Sequence, residues 1–223
     1  MLNVRGTAGV ESVFAESKGI RVNATRGVKA AFLVLLTMTG WTFLVRADDD
    51  YQGLSVGHPM SDFGLRRIDP ADAELKKIVW LSDYVGPAGA KEPRKALLLN
   101  FFAVWCKPCL KELPILEQLQ NKYADAGLQV VSVNFRAESE DLSETLKATA
   151  KIIRTNNLTF PVLFDRYTSR NQLIYMGSKA ALPCNILISA DGIVAARFQS
   201  SEGFNAAEVE QAVRKQLAAG KTL

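Results

Sequence analysis

An apolar run from Ala96 to Phe102, broken only by Asn100, passes within three residues into Trp105-Cys106-Lys107-Pro108-Cys109. Such a run reads as a buried strand that needs cover on both faces. The segment after it supplies one cover. From Cys106 to Ala126 it reads as a helix, with Leu113, Leu116, Leu119 and Tyr123 at helical spacing. Lys111, Glu117, Gln118, Asn121 and Lys122 make its wet face, and Gly127 stops it. A strand that turns at once into an amphipathic helix points to a layered α/β architecture.

The rest of the chain repeats that unit. A polar entry (Gly53 to Asp72) and a loop rich in Pro, Gly and Lys (Gly86 to Lys95) precede the junction. Strands are predicted at Val130 to Phe135 and Phe160 to Phe164, with an amphipathic helix at Leu142 to Asn156 between them. A short helical piece is expected near Asn171 to Met176. Asn185 to Ser189 and Ile193 to Gln199 flank Ala190-Asp191-Gly192, a hairpin signal. A last helix runs from about Asn205 to Gly220, with Asn205 and Glu208 spaced as a capping box. The sum is a central mixed sheet with helices on both faces.

Charge separates a leader from this body. Residues 1–47 carry Arg5, Lys18, Arg21, Arg26, Lys29 and Arg46 against Glu11 and Glu16, which accounts for the whole net charge of +4. The remaining 21 basic and 21 acidic side chains balance, so a nucleic-acid partner is not expected. Residues 30–45 hold no charge, follow basic residues and precede Asp48-Asp49-Asp50. They read as an export signal or a membrane anchor, with the basic side in the cytoplasm. As a helix the run spans about 24 Å, short of a roughly 30 Å hydrocarbon core, which favours a cleaved signal. Val45 and Ala47 suit the −3 and −1 positions of a signal peptidase site; Trp41 and Arg46 would suit the interface of a retained anchor. Residues 1–47 are therefore read as leader and 48–223 as the exported domain. The basic stretch before Lys29 is long for a signal, and translation from an internal valine codon at Val22 or Val28 is expected.

The chemistry lies in the two cysteines. Cys106 falls at a helix N-terminus, where unpaired N–H groups and the helix dipole stabilise a thiolate below the roughly 8.5 of a free thiol. Helical spacing of three brings Cys109 within reach of a disulfide. Pro108 costs nothing in a first turn and stiffens it. Three other readings are weaker. A zinc site would consume Cys106, Cys109, Cys184 and His58, every Cys and His in the chain, in a strand-to-helix setting unlike a zinc knuckle. Haem attachment needs His where Leu110 stands. A purely structural disulfide closing so small a loop stabilises little.

The string Leu97-Leu98-Leu99-Asn100-Phe101-Phe102-Ala103-Val104-Trp105-Cys106-Lys107-Pro108-Cys109, followed by Lys111-Glu112-Leu113-Pro114, resembles the thioredoxin superfamily. Within it, the chain is similar to the TlpA/ResA-like thiol-disulfide oxidoreductases of the AhpC/TSA-Redoxin type. Gly57-His58-Pro59, Asp62-Phe63, Leu81-Ser82-Asp83-Tyr84, Phe160-Pro161-Val162 and Leu182-Pro183 extend the resemblance over about residues 53–218. It implies a thioredoxin-like fold with an N-terminal extension and a βα insertion. Cys106 would attack a substrate disulfide and Cys109 resolve the mixed disulfide. Pro114 would kink the first helix. Pro183 would be the cis-proline facing the pair, with the backbone at Leu182 pairing with an extended substrate segment. No cofactor beyond the redox disulfide is implied. The implied partners are disulfide-containing proteins of the periplasm or envelope, apocytochrome c among them, and a membrane thiol-transfer protein as electron donor. The alternatives are a disulfide oxidase or isomerase and a non-enzymatic binding module. The T-x-x-C motif of peroxiredoxins is absent, so antioxidant activity is not expected.

Several residues carry separate expectations. Asn100 stands where thioredoxins carry a buried Asp, so Glu112, three residues past Cys109, is the candidate to relay its proton; the alternative is a solvated first-turn Glu. Lys107 should stabilise the Cys106 thiolate and make the pair more oxidising than a Glu-Pro counterpart. Trp105 should pack beside the cysteines and shape the docking surface. Cys184, where the family usually has Thr, is a possible third redox thiol or else a small core residue. His58 is expected to play no chemical part.

Overall fold

The computed structural model describes residues 54–86, 90–137, 139–166, 174–177, 181–199 and 204–219. Among these, the strands are β1 (Gly64–Ile68), β2 (Leu75–Trp80), β3 (Ala96–Ala103), β4 (Leu128–Phe135), β5 (Val162–Asp165), β6 (Cys184–Ser189) and β7 (Val194–Gln199). They form one mixed sheet in the order β2-β1-β5-β4-β3-β6-β7. The helices are α1 (Lys107–Tyr123), α2 (Leu142–Thr155) and α3 (Ala206–Ala219). The predicted leader at residues 1–47 and residues 171–173 of the short helical piece lie outside the described residues. No helix among the described residues is long and apolar enough to cross a membrane.

Strand β3 is buried along its whole length. It pairs in parallel with β4, Ala96 opposite Leu128 through Ala103 opposite Phe135. On its other edge it runs antiparallel to β6, with Phe101 opposite Cys184. Alternation then sends its side chains into two cores. Leu98 and Phe102 meet Leu113, Leu116 and Leu119 of α1, Ala150 and Ile153 of α2, and Val209 and Val213 of α3. Leu97, Leu99 and Phe101 meet Leu81, Tyr84 and Val85 around a 3-10 turn (Leu81–Asp83), together with Tyr175 and Met176 of helical residues 174–176. The crossovers β3-α1-β4 and β4-α2-β5 step in the same direction across the sheet, so right-handedness places α1 and α2 on one face. Burying three leucines at about 1.5–3 kcal/mol each seats α1 firmly on β3.

Two turns follow the sequence reading closely. Gly127 takes φ +104° where α1 ends, and Gly192 takes φ +82° in the β6–β7 hairpin. A side chain at Gly192 would meet the Gly86 backbone at 3.1 Å. Asn205 Oδ1 accepts the Glu208 N–H at 3.2 Å at the start of α3.

Two regions differ from that reading. The polar entry contains β1, which pairs antiparallel with β2 and β5 and adds the hairpin β1–β2 to one edge of the sheet. Its sequence Gly-Leu-Arg-Arg-Ile mixes burial and exposure, so no apolar run marks it, although β1 lies between β2 and β5 and β2 forms the edge. Glu117, read as wet, is buried: its carboxylate accepts the Thr159 N–H at 2.9 Å, the Thr159 hydroxyl at 2.8 Å and the Asn121 amide at 3.0 Å. It tethers α1 to the segment entering β5.

Candidate active site

The site sits where β3 delivers the chain to α1. Cys106 is the N-cap of α1, and its Sγ accepts the Cys109 N–H at 3.3 Å. A first-turn N–H aimed at sulfur favours negative charge there once the disulfide is opened. Cys106 and Cys109 form a disulfide with a Cα–Cα separation of 5.3 Å. Both are buried, and Cys106, at 4% exposure against 0% for Cys109, is the sulfur nearer solvent. Lys107 and Pro108 between them are exposed, and Pro108 occupies the first turn. Pro114 lies inside the helix. Trp105 is 58% exposed, which places a large apolar surface immediately beside the pair rather than in the core.

The partner of this corner comes from β6. With Phe101 opposite Cys184, the antiparallel register sets Pro183 level with the end of β3. The Leu182–Pro183 peptide bond is cis, Pro183 is buried and Leu182 is half-buried.

Glu112 is 2% exposed, one turn beyond Cys109 on the same side of α1. Burial pushes its carboxyl up to about 7, against the opposing pull of a hydrogen bond from Asn185 Nδ2 at 2.9 Å. A cavity of about 380 Å³ reaches this carboxyl and is lined also by Pro183, Asn185, Arg197, Asn205 and Glu208. It places the acid and Pro183 on the wall of one cavity.

Sequence reasoning missed a buried polar chain behind Glu112. Asn100 Nδ2 donates to Asn185 Oδ1 at 2.9 Å, and the Ser132 hydroxyl donates to Asn100 Oδ1 at 2.9 Å. The available signal was the presence of polar residues inside mostly apolar strands: Asn100 in β3, Ser132 in β4 and Asn185 in β6.

Cys184 is free, fully buried and packed in the second core with Phe101, Tyr175 and Ile186. Its strand neighbour Asn185 points the other way, towards Glu112. The two faces of the sheet therefore separate Cys184 from the disulfide, and burial pushes its thiol up to about 11. His58 is exposed, and its backbone carbonyl accepts the Val194 N–H at 2.9 Å. No cluster of three or more metal-ligating side chains occurs among the described residues.

Comparison with known proteins agrees with this geometry. A family model, the AhpC/TSA family, matches residues 56–197. Thioredoxin-like protein YneN of Bacillus subtilis is 35% identical over 134 residues, covering 60% of this chain and 68% of that protein. Thiol-disulfide oxidoreductase ResA of Bacillus cereus is 31% identical over 162 residues, covering 73% of this chain and 80% of that protein. A crystal structure assigned as a thiol:disulfide interchange protein DsbE from Chlorobium tepidum matches with a TM-score of 0.55 at 27% identity, over 75% of this chain and 99% of that one.

Proposed function

Since the chain belongs to the AhpC/TSA family and is a ResA-like thiol-disulfide oxidoreductase of the thioredoxin superfamily, we propose that it runs in the reducing direction on protein disulfides outside the cytoplasm. The observation that carries the exchange chemistry of this reading is the Cys106–Cys109 disulfide closed within the first turn of α1, with the Cys109 N–H on the Cys106 sulfur. In the dithiol form the Cys106 thiolate attacks one sulfur of a substrate disulfide. The substrate S–S bond breaks, a mixed disulfide forms and one substrate thiolate leaves. Cys109 gives its proton to the Glu112 carboxylate and attacks the Cys106 sulfur. That re-forms the Cys106–Cys109 disulfide and releases the second substrate thiolate. Two electrons pass to the substrate, and its two thiolates take up protons. A dithiol carrier in the membrane then returns two electrons to the enzyme.

Trp105, Lys107, Pro108, Leu182 and Pro183 border the pair and form the surface on which an extended substrate strand rests. Residues 30–45 carry the domain across the membrane and either hold it there or are removed. Oxidised apocytochrome c thiols are a fitting substrate class.

Insulin reduction by the parent and by the Cys106→Ser and Cys109→Ser variants tests the assignment. Activity should vanish in both, and the Cys109→Ser variant should accumulate a mixed disulfide through Cys106. Activity retained without Cys106 would remove the proposed nucleophile. A redox potential near that of thioredoxin supports the reducing direction, and one near that of DsbA-type oxidants reverses it.

A further inference from the structure

The polar chain behind Glu112 has a definite sense. Ser132 donates to Asn100, Asn100 to Asn185, and Asn185 to Glu112 Oε2, each at 2.9 Å. The four residues are 0–2% exposed. An asparagine amide has a donor end and an acceptor end. With its oxygen held by Asn100, Asn185 can meet Glu112 only through its NH2. A donor on a buried carboxylate stabilises the charged form, whereas the surrounding low-dielectric core disfavours it.

We propose that Asn185 is a positioning residue for the proton step: clamped by Asn100, its amide fixes the Glu112 carboxyl at the wall of the cavity beside Pro183 and favours its ionised form. This rests on the reading that Glu112 takes the Cys109 proton. It also gives Asn100 a role without titration, since the amide on the central strand orients an acid carried by the helix. Other titratable groups face the carboxyl as well. Cys106 and Cys109 at the start of its helix are held as a disulfide in the oxidised protein, Cys184 lies in the core behind the sheet, and Arg197 of β7 and Glu208 of α3 line the same cavity. The test must therefore change the amide and leave these charges in place.

Asn185→Val and Asn185→Thr do so. The two are nearly the same shape, both suit a strand, and they differ by one hydroxyl donor. In the oxidised full-length protein, the Glu112 carboxyl is titrated by carbon-13 NMR. Asn185→Val should bind the Glu112 proton roughly tenfold more tightly than the parent, in line with the loss of one hydrogen bond to a charged group. Asn185→Thr should recover part of the difference. The pH midpoint of disulfide exchange should move with the titration. If the valine chain does not fold, Asn185→Leu, which branches at Cγ as asparagine does, carries the same expectation. Equal titration in the Val and Thr variants, or no change in either, overturns the role of Asn185. A pH profile of exchange left unchanged by Glu112→Gln would instead overturn the relay itself. The NMR titration does not depend on activity, so the two failures are separable.

Discussion

Replacing Glu112 by Gln removes an ionisable group from beneath the cysteine pair and keeps an oxygen able to accept the Asn185 amide. Burial raises the parent carboxyl from the ordinary 4.5 to about 7. Between those values the folded chain holds a proton that the unfolded chain has already released. Stability therefore falls as pH rises through that window, because charging the buried acid costs more than charging the exposed one. About 2.5 pH units at about 1.36 kcal/mol each make the loss roughly 3 kcal/mol, fully present above about pH 7 and absent below about 4.5. The Gln variant has no such loss. It should match the parent within about 1 kcal/mol at pH 4 and exceed its stability by about 3 kcal/mol at pH 8. Urea unfolding of the disulfide form at both pH values measures this, and the titration of every other carboxylate cancels in the difference. A gap between variant and parent that is the same at pH 4 and pH 8 would refute the buried-acid argument. The same variant should also lose any inflection near pH 7 in the rate of disulfide exchange.

Two further substitutions probe the neighbourhood. Lys107 is exposed in the first turn beside Cys106, and Lys107→Glu should make the pair more reducing by about 10–30 mV, as expected for one reversed, solvent-screened charge near a thiolate. Equilibration with glutathione reads this shift, and an unchanged or less negative potential would count against a role for Lys107. Cys184→Ala should leave every trapped mixed disulfide in place and cost about 1 kcal/mol, the value of a small apolar group lost from a core. Disappearance of any trapped species on a non-reducing gel would restore Cys184 as a redox thiol.

Much of the fold was legible because the central strands are buried on both faces. Ala96–Ala103, apolar but for Asn100, and Val130–Phe135, apolar but for Ser132 and Asn134, show this as mostly apolar runs, and α1 shows it as leucines at helical spacing. The hairpin β1–β2 was not legible. Its Arg66, Arg67, Lys76 and Lys77 interrupt any apolar pattern, and the pairing of β1 with β2 and β5 is what holds these residues in the sheet. Glu117 was misread for a different reason. Its burial depends on Thr159, a partner 42 residues away that no local spacing announces. The same holds for the site. The cysteine pair is local and stands out in the sequence, whereas the amide chain joins residues 100, 132 and 185 through strand register alone.

The position of the acid relative to Cys109 follows from the helix instead. An acid on β3 would depend on how the strand and α1 pack for its distance to Cys109. Glu112 lies on the same helix one turn further on, so helical geometry sets the spacing whatever the sheet does. The cost of that arrangement is a carboxyl that is almost wholly buried, at 2% exposure. Uncompensated, burial of the ionised form would hold the acid protonated through the neutral range, unable to accept a proton from Cys109. The hydrogen bond from Asn185 offsets part of that cost, and the carboxyl comes to about 7. At that value the group can both take up and release a proton within the pH range where thiolates attack disulfides. In the proposed relay, polar residues in the middle of three buried strands hold the acid on the helix that takes the Cys109 proton.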